Sequence, residues 1–208
     1  MRQFLLLPFV LLLAVLGVAR AEVAPEELVR STADVILAEI KQNREVYARD
    51  YNKLYRMADE KVLPHFDFRR MGQWVLGRSW RDATPEQRDR FVAAFRDLLV
   101  RTYSQALLNY KDEQIIYLPV QRGPDDTEVL VKTEVKQSGG QANIPIHYNF
   151  YKNKDGAWKV YDVTIEGVSL VTNYRSVYAT KIREQGIDAL INEITENNRQ
   201  ARIGGTKK

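Results

Sequence analysis

Apolar positions along the chain change period twice. From Pro25 onward Val29, Ala33, Ile36, Leu37 and Ile40 recur at helical spacing. A second helical segment, Tyr51 to Val62, presents Leu54, Ala58 and Val62 before Pro64 ends it. Asp67 is placed to cap a short helix carrying Phe68, Met71, Gly72 and Val75 on one face, with Gly77 as its stop. Thr84-Pro85-Glu86-Gln87 joins a capping box to a proline at the first helical position. The helix it opens continues through Phe91, Phe95, Leu98, Thr102, Ala106 and Tyr110.

The period then becomes two. Gln114–Gln121, Glu128–Lys136, Asn143–Lys152 and Ala157–Ile165 read as strands. Turn residues join the last three, and Gly123-Pro124-Asp125-Asp126 joins the first pair, so four antiparallel strands in a meander are expected. Alternation places Ile116, Leu118 and Val120 on one face of the first strand. Val129, Val131 and Val135 line the second, and Ile144, Ile146, Tyr148 and Phe150 the third. The strand from Trp158 to Ile165 is unusual. Tyr161, Val163 and Ile165 fall on one face, Trp158, Val160, Asp162 and Thr164 on the other, so both faces carry large apolar groups. Such a strand needs cover on both sides, or an apolar cavity on one; the Val163 side is the expected cavity wall. Helical spacing returns in Val171, Tyr174, Tyr178 and Ile182, stops near Gly186, and resumes in Ile187, Leu190, Ile191 and Ile194. Polar residues from Asn197, with Gly204-Gly205, suggest a flexible tail from about residue 199. The fold class is α+β, with helices from both ends covering a curved sheet.

Residues 1–21 stand apart. Arg2, an apolar run from Phe4 to Val18, and Ala19-Arg20-Ala21 together read as a cleavable export signal. The run is shorter than the ~20 residues of a spanning helix. Residues 22–208 then form a single soluble exported domain, large enough for a substantial core. The formal charge is +4, but without Arg2 and Arg20 the 31 basic residues fall to 29 against 27 acidic ones. Neither a dense basic run nor a nucleic-acid motif accompanies that balance, so no nucleic-acid partner is expected. There is no cysteine, so neither a disulfide nor a lipidated cysteine supports or anchors the chain.

Candidate chemistry is sparse. The two histidines, His65 and His147, lack ligand spacing, so no metal site is expected. No nucleophile elbow, phosphate-cradling loop or dinucleotide fingerprint occurs, and no catalytic residue is assigned. Asp162 is the one carboxylate on an apolar strand. It reads either as a general base, with Tyr148 or Tyr161 as acid, or as an acceptor for backbone N–H groups or for Arg175; the second reading is the simpler.

Three blocks carry a resemblance. The first is Val62-Leu63-Pro64-His65-Phe66-Asp67-Phe68 with Met71 and Val75-Leu76-Gly77-Arg78-Ser79-Trp80. The second runs from Ala83-Thr84-Pro85-Glu86-Gln87-Arg88 through Phe91, Phe95, Leu99, Tyr103, Leu107 and Tyr110. The third is the Trp158 strand continued by Ser169-Leu170-Val171-Thr172-Asn173-Tyr174-Arg175 and Gly186-Ile187. In this order they resemble the MlaC family, also called the toluene-tolerance auxiliary family, over nearly the whole mature chain. The resemblance implies an NTF2-like fold, a Gram-negative periplasmic location and a monomer carrying phospholipid in an apolar pocket, with no cofactor. It implies two partners, an inner-membrane ABC transporter complex with an MCE-domain subunit and an outer-membrane lipoprotein–porin complex. The family has no catalytic motif to transfer, so pocket residues follow from the inward faces. On the sheet these are Ile116, Leu118, Val131, Val135, Ile146, Tyr148, Phe150 and Val163. On the helices and their junction they are Phe68, Met71, Val75, Tyr103, Leu107, Val168 and Val171. Arg78, Arg81 and Arg175 flank apolar segments and are candidates for headgroup or partner contact. An NTF2-like isomerase or hydratase using Asp162 is the alternative.

Overall fold

The computed structural model describes residues 23–110 and 113–204; the expected export signal, residues 1–21, lies outside them. Helix α1 spans Pro25–Arg49 and α2 Tyr51–Lys61, followed by a 3-10 turn at Leu63–His65. Helix α3 covers Phe68–Leu76, α4 Ser79–Asp82 and α5 Pro85–Leu108. Strands β1 (Ile115–Tyr117), β2 (Glu128–Val135), β3 (Ile144–Lys152), β4 (Trp158–Ile165) and β5 (Val168–Ser169) form one antiparallel sheet in sequential order. Helices α6 (Leu170–Gln185) and α7 (Ile187–Gly204) complete the described chain.

The caps anticipated in the sequence are present. Asp67 Oδ1 accepts from Arg70 N at 2.8 Å, opening α3. Thr84 Oγ1 accepts from Gln87 N at 3.1 Å while Gln87 Oε1 accepts from Thr84 N at 2.9 Å. Gly77 closes α3 at φ 55° and ψ −118°, a conformation open to glycine alone, and the Arg175 guanidinium packs against it. Asn198 is buried and its Nδ2 donates to Ala94 O at 2.9 Å, so α7 extends to Gly204 along α5.

Two features of the sheet depart from simple alternation. The first is in β4, where register shifts between Asn149 and Phe150 of β3. Asn149 pairs with Asp162 but Phe150 with Val160, which leaves Tyr161 as the extra residue of a β-bulge. Trp158, Val160, Val163 and Ile165 consequently share one face. Directly opposed residues lie on the same side of a sheet, and Val160 faces Phe150 while Val163 faces Tyr148. A strand that seemed apolar on both sides therefore has one apolar face and a displaced tyrosine.

The second is in β1. Tyr117 pairs with Thr133 and Ile115 with Val135, so those residues point inward, and Ile116 pairs with Glu134 on the outer face. Leu118 N donates to Lys132 O at 3.0 Å, continuing the outer register. The expectation that Ile116 and Leu118 face the cavity is corrected here. In the run Ile115-Ile116-Tyr117-Leu118 apolarity is the same at odd and even positions, so nothing local chooses the face, and a shift of one residue inverts it. A fifth strand also extends the expected meander. Glu166 (φ 50°) and Gly167 (φ 83°) form a two-residue turn of the kind favoured in hairpins, and Val168 pairs back with Ile165.

The main core lies between the inner face of the sheet and helices α3, α5, α6 and α7. Gly72 permits close approach of α3 to α5, because a Cβ there would meet Val92 Cγ2 at 3.1 Å. A separate apolar cluster joins α1 and α2 through Ile36, Ile40, Tyr47, Leu54 and Met57. It reaches the end of α5, where Arg44 donates to Leu108 O at 3.0 Å and also to Tyr110 O, placing a cation at that helix's C-terminus.

Candidate functional site: a one-ended apolar hollow

Cross-strand pairing arranges the inner face in rows, and their burial is graded. Val129, Phe150 and Val160 form a fully covered row. In the next, Val131 and Val163 are covered but Tyr148 between them is not. In the third, Thr133 is covered while Tyr117, Ile146 and Ile165 are half-buried. The last row, Ile115, Val135 and Ile144, is half-buried throughout. Helices α3 and α5 thus fill one end of the sheet and leave the other end apolar and only partly covered. Tyr103 of α5 and Tyr174 of α6 are half-buried and pack on the same core.

Tyr148 marks the depth of the opening. Burial raises its hydroxyl pKa above the ordinary value, an effect the neighbouring Thr133 side chain partly offsets. Yet its side chain keeps accessible surface. The apolar, half-buried rows from Tyr148 to Ile144 read as a hollow open at one end. Burial also raises the hydroxyl pKa values of Tyr103, Tyr117 and Tyr174, so all four phenols are neutral at physiological pH.

The anticipated site residues separate into groups. Phe68, Met71, Val75, Val131, Phe150, Val163 and Val171 are buried in the main core, forming the filled end. Tyr103, Val135, Ile146 and Tyr148 border the open end. Leu107 packs with the α1–α2 cluster, and Val168 is 54% exposed on the β5 hairpin. Ile115, Tyr117, Ile144, Ile165 and Tyr174 border the hollow without having been singled out. The alternation that misplaced Ile116 would have found Ile115 and Tyr117 had the register of β1 been known. Arg78, Arg81 and Arg175 are exposed, and Arg175 lies over Gly77.

Polar candidates are accounted for locally. Asp162 Oδ2 accepts from Ser169 Oγ at 2.6 Å and Oδ1 from Val171 N at 3.1 Å, tying β4 to the start of α6. This is the backbone-acceptor role, without Arg175. Asp162 pairs with Asn149 on the outer face, so the sheet separates it from Tyr148. Burial and the Lys159 ammonium lower the pKa of His65. Among the described residues no cluster of His, Cys, Asp or Glu could hold a metal ion. A cleft of about 780 Å³ opens between α3, α4 and the β3–β4 hairpin, and two of its arginines are in ion pairs. Arg69 pairs with Asp89 at 2.7 Å and Arg70 with Glu128 at 3.1 Å, while the Arg70 guanidinium lies 3.9 Å from the Tyr151 ring centre and 4.9 Å from that of Tyr161. That arrangement reads as a structural joint.

A one-ended hollow over an antiparallel sheet can be compared with known proteins. The family model described as MlaC protein matches residues 30–196. The chain belongs to the MlaC family. It is 31% identical over 201 residues to the intermembrane phospholipid transport system binding protein MlaC of Haemophilus influenzae, covering 96% of this chain and 94% of that protein. Toluene tolerance protein ttg2D of Pseudomonas putida is 29% identical over 165 residues, covering 79% of this chain and 75% of its own length. A phospholipid-binding protein from Ralstonia solanacearum, solved in complex with a phospholipid, superposes with a TM-score of 0.78 at 33% identity. That match covers 86% of this chain and 99% of the solved one. Membership in this family accords with the expectation drawn from the three sequence blocks.

Proposed function

We propose that this chain is a periplasmic phospholipid carrier that moves lipid between the inner and outer membranes with the acyl chains held in the hollow. The observation that carries this reading is the burial gradient on the inner face, filled at Phe150 and open at Ile144. Removing one ~16-carbon acyl chain from water is worth on the order of 10 kcal/mol. Two such chains do not cross an aqueous compartment unaided at a useful rate, and a protein that binds them cannot release them to water quickly either. Transfer therefore requires docking to a partner that receives the chains directly. An inner-membrane ABC transporter complex with an MCE-domain subunit and an outer-membrane lipoprotein–porin complex are the partners this role calls for. The role needs no catalysis, and the engagement of both Asp162 oxygens by Ser169 and the Val171 N–H favours a carrier over an isomerase or hydratase that would use Asp162 with Tyr148 or Tyr161.

Denaturing solvent extraction of purified protein followed by mass spectrometry should yield phospholipid near one molecule per chain. Ile146→Trp, which fills the open end, should lower that content severalfold while the protein stays folded. Lipid-free wild-type protein, obtained consistently, would sink the proposal.

A further inference from the structure

The two edges of the sheet are finished differently. On the β4 side, Asp67 N donates to Val160 O at 2.9 Å and β5 pairs with Thr164 and Ile165. On the β1 side, Lys136 N donates to Gln114 O at 2.9 Å and Leu118 N to Lys132 O at 3.0 Å. Alternate residues of an antiparallel strand turn both backbone groups to the same neighbour. Gln114, Ile116 and Leu118 therefore face β2, and the N–H and C=O groups of Ile115 and Tyr117 point off the sheet. No described residue hydrogen-bonds to those four groups. Free edges are normally blunted by charges, prolines or bulges. There is no charged residue from Gln114 to Gln121, and Pro119 ends the free stretch instead of interrupting it. Both faces of the strand are apolar and half-buried, with Ile115 and Tyr117 inward and Ile116 and Leu118 outward.

The rows that the helices leave partly covered begin on this strand. Tyr117 starts the row through Thr133, Ile146 and Ile165, and Ile115 the row through Val135 and Ile144. Strand β1 is thus a side wall of the open end. Backbone donors and acceptors spaced along an extended edge are matched by another extended backbone, not by a helix or a lipid. A strand added there sets its inward side chains in line with the apolar rows, because directly opposed residues share a face.

We propose that the β1 edge is the docking site for an extended strand, apolar at alternate positions, of the protein that exchanges lipid with this one, so that the wall of the hollow runs on into the partner. The inference rests on the carrier reading above and specifies the contact through which chains pass without meeting water. A second copy of this chain fits less well. Pairing β1 with itself about Ile116 joins only Ile115 and Tyr117 to their counterparts, far less than the ~800 Å² per partner of a stable assembly.

Hydrogen exchange resolved to single amides tests this on the lipid-loaded mature protein. Alone, the amides of Ile115 and Tyr117 should exchange rapidly and that of Ile116, bonded to β2, slowly. Adding the purified transporter complex with its MCE-domain subunit, or the lipoprotein–porin complex, should slow the first two by roughly tenfold or more. Ile115→Pro deletes an N–H that the fold does not use, and Ile115→Ala, which keeps it, is the control. With both variants verified by thermal unfolding, Ile115→Pro should pass labelled lipid to the complex roughly three- to tenfold more slowly than Ile115→Ala, as loss of one hydrogen bond implies. Should Ile115→Pro not fold, exchange in the wild-type protein decides. Rapid exchange at both amides while lipid passes, or equal transfer by the two folded variants, overturns the inference and leaves the carrier reading standing. Passage of lipid to neither complex, with no protection, overturns the carrier reading and the inference with it. Protection that grows with the protein's own concentration and needs no complex assigns the edge to a second copy and likewise overturns the inference.

Discussion

At the level of single residues, Asp162 shows how one side chain can look catalytic and be architectural. Its two oxygens receive a hydroxyl from Ser169 and a backbone N–H from Val171, so it fixes the angle at which α6 leaves the sheet. Asp162→Ala should destabilise the protein by about 1–3 kcal/mol in denaturant titrations, the cost of orphaning those donors. Asp162→Asn keeps an acceptor and should retain full lipid content in extraction experiments. Loss of lipid from a folded Asp162→Asn protein would contradict this assignment. The role of Asp162 was legible in sequence as one of two options, because an aspartate just before a turn into a helix has backbone donors within reach. Tyr117 was not legible, because its apolar neighbours on both sides conceal the face it occupies.

Among elements, helix boundaries were the most readable and strand faces the least. Asp67, Thr84 and Gly77 act through contacts within a few residues, so local sequence carries them. A bulge depends on pairing with another strand, and β4 reveals its bulge only when aligned with β3. The bulge makes a specific prediction. Deleting Tyr161 leaves Trp158, Val160, Val163 and Ile165 in strict alternation on the inner face, as a regular strand requires. The deletion variant should fold cooperatively, with stability reduced by the lost contacts to Trp74 and Arg70. Deleting Thr164 makes Val163 and Ile165 adjacent and sends one of them outward, so that variant should lose its cooperative melt. Near-ultraviolet circular dichroism during thermal unfolding compares the two; failure of both to fold would show that the bulge itself is indispensable.

For the whole molecule, the class of fold and the family followed from the order of elements and from the three family blocks, whereas the end of the sheet left partly covered did not. It depends on which rows of the sheet the helices reach, a property of packing that sequence periodicity does not encode. Packing also sets alkaline behaviour. Burial raises the hydroxyl pKa values of Tyr148, Tyr174 and Tyr178 above the unfolded value near 10. A group with a raised folded-state pKa contributes stability fully below its unfolded pKa and loses it as pH climbs through the folded value. Stability should therefore fall above about pH 10, and part of the phenolate absorbance should appear together with unfolding. Smooth ionisation of all tyrosines in a protein that keeps its circular dichroism would refute this.

The closed row at Val129, Phe150 and Val160 has a consequence for hand-over. A hollow with one open end admits a lipid tails first, so the terminal methyl groups travel farthest. Departure reverses the order: the headgroup leads and the chain ends are last to let go. A receiving protein therefore meets glycerol before hydrocarbon, and it must draw the chains through its own doorway while their ends are still held.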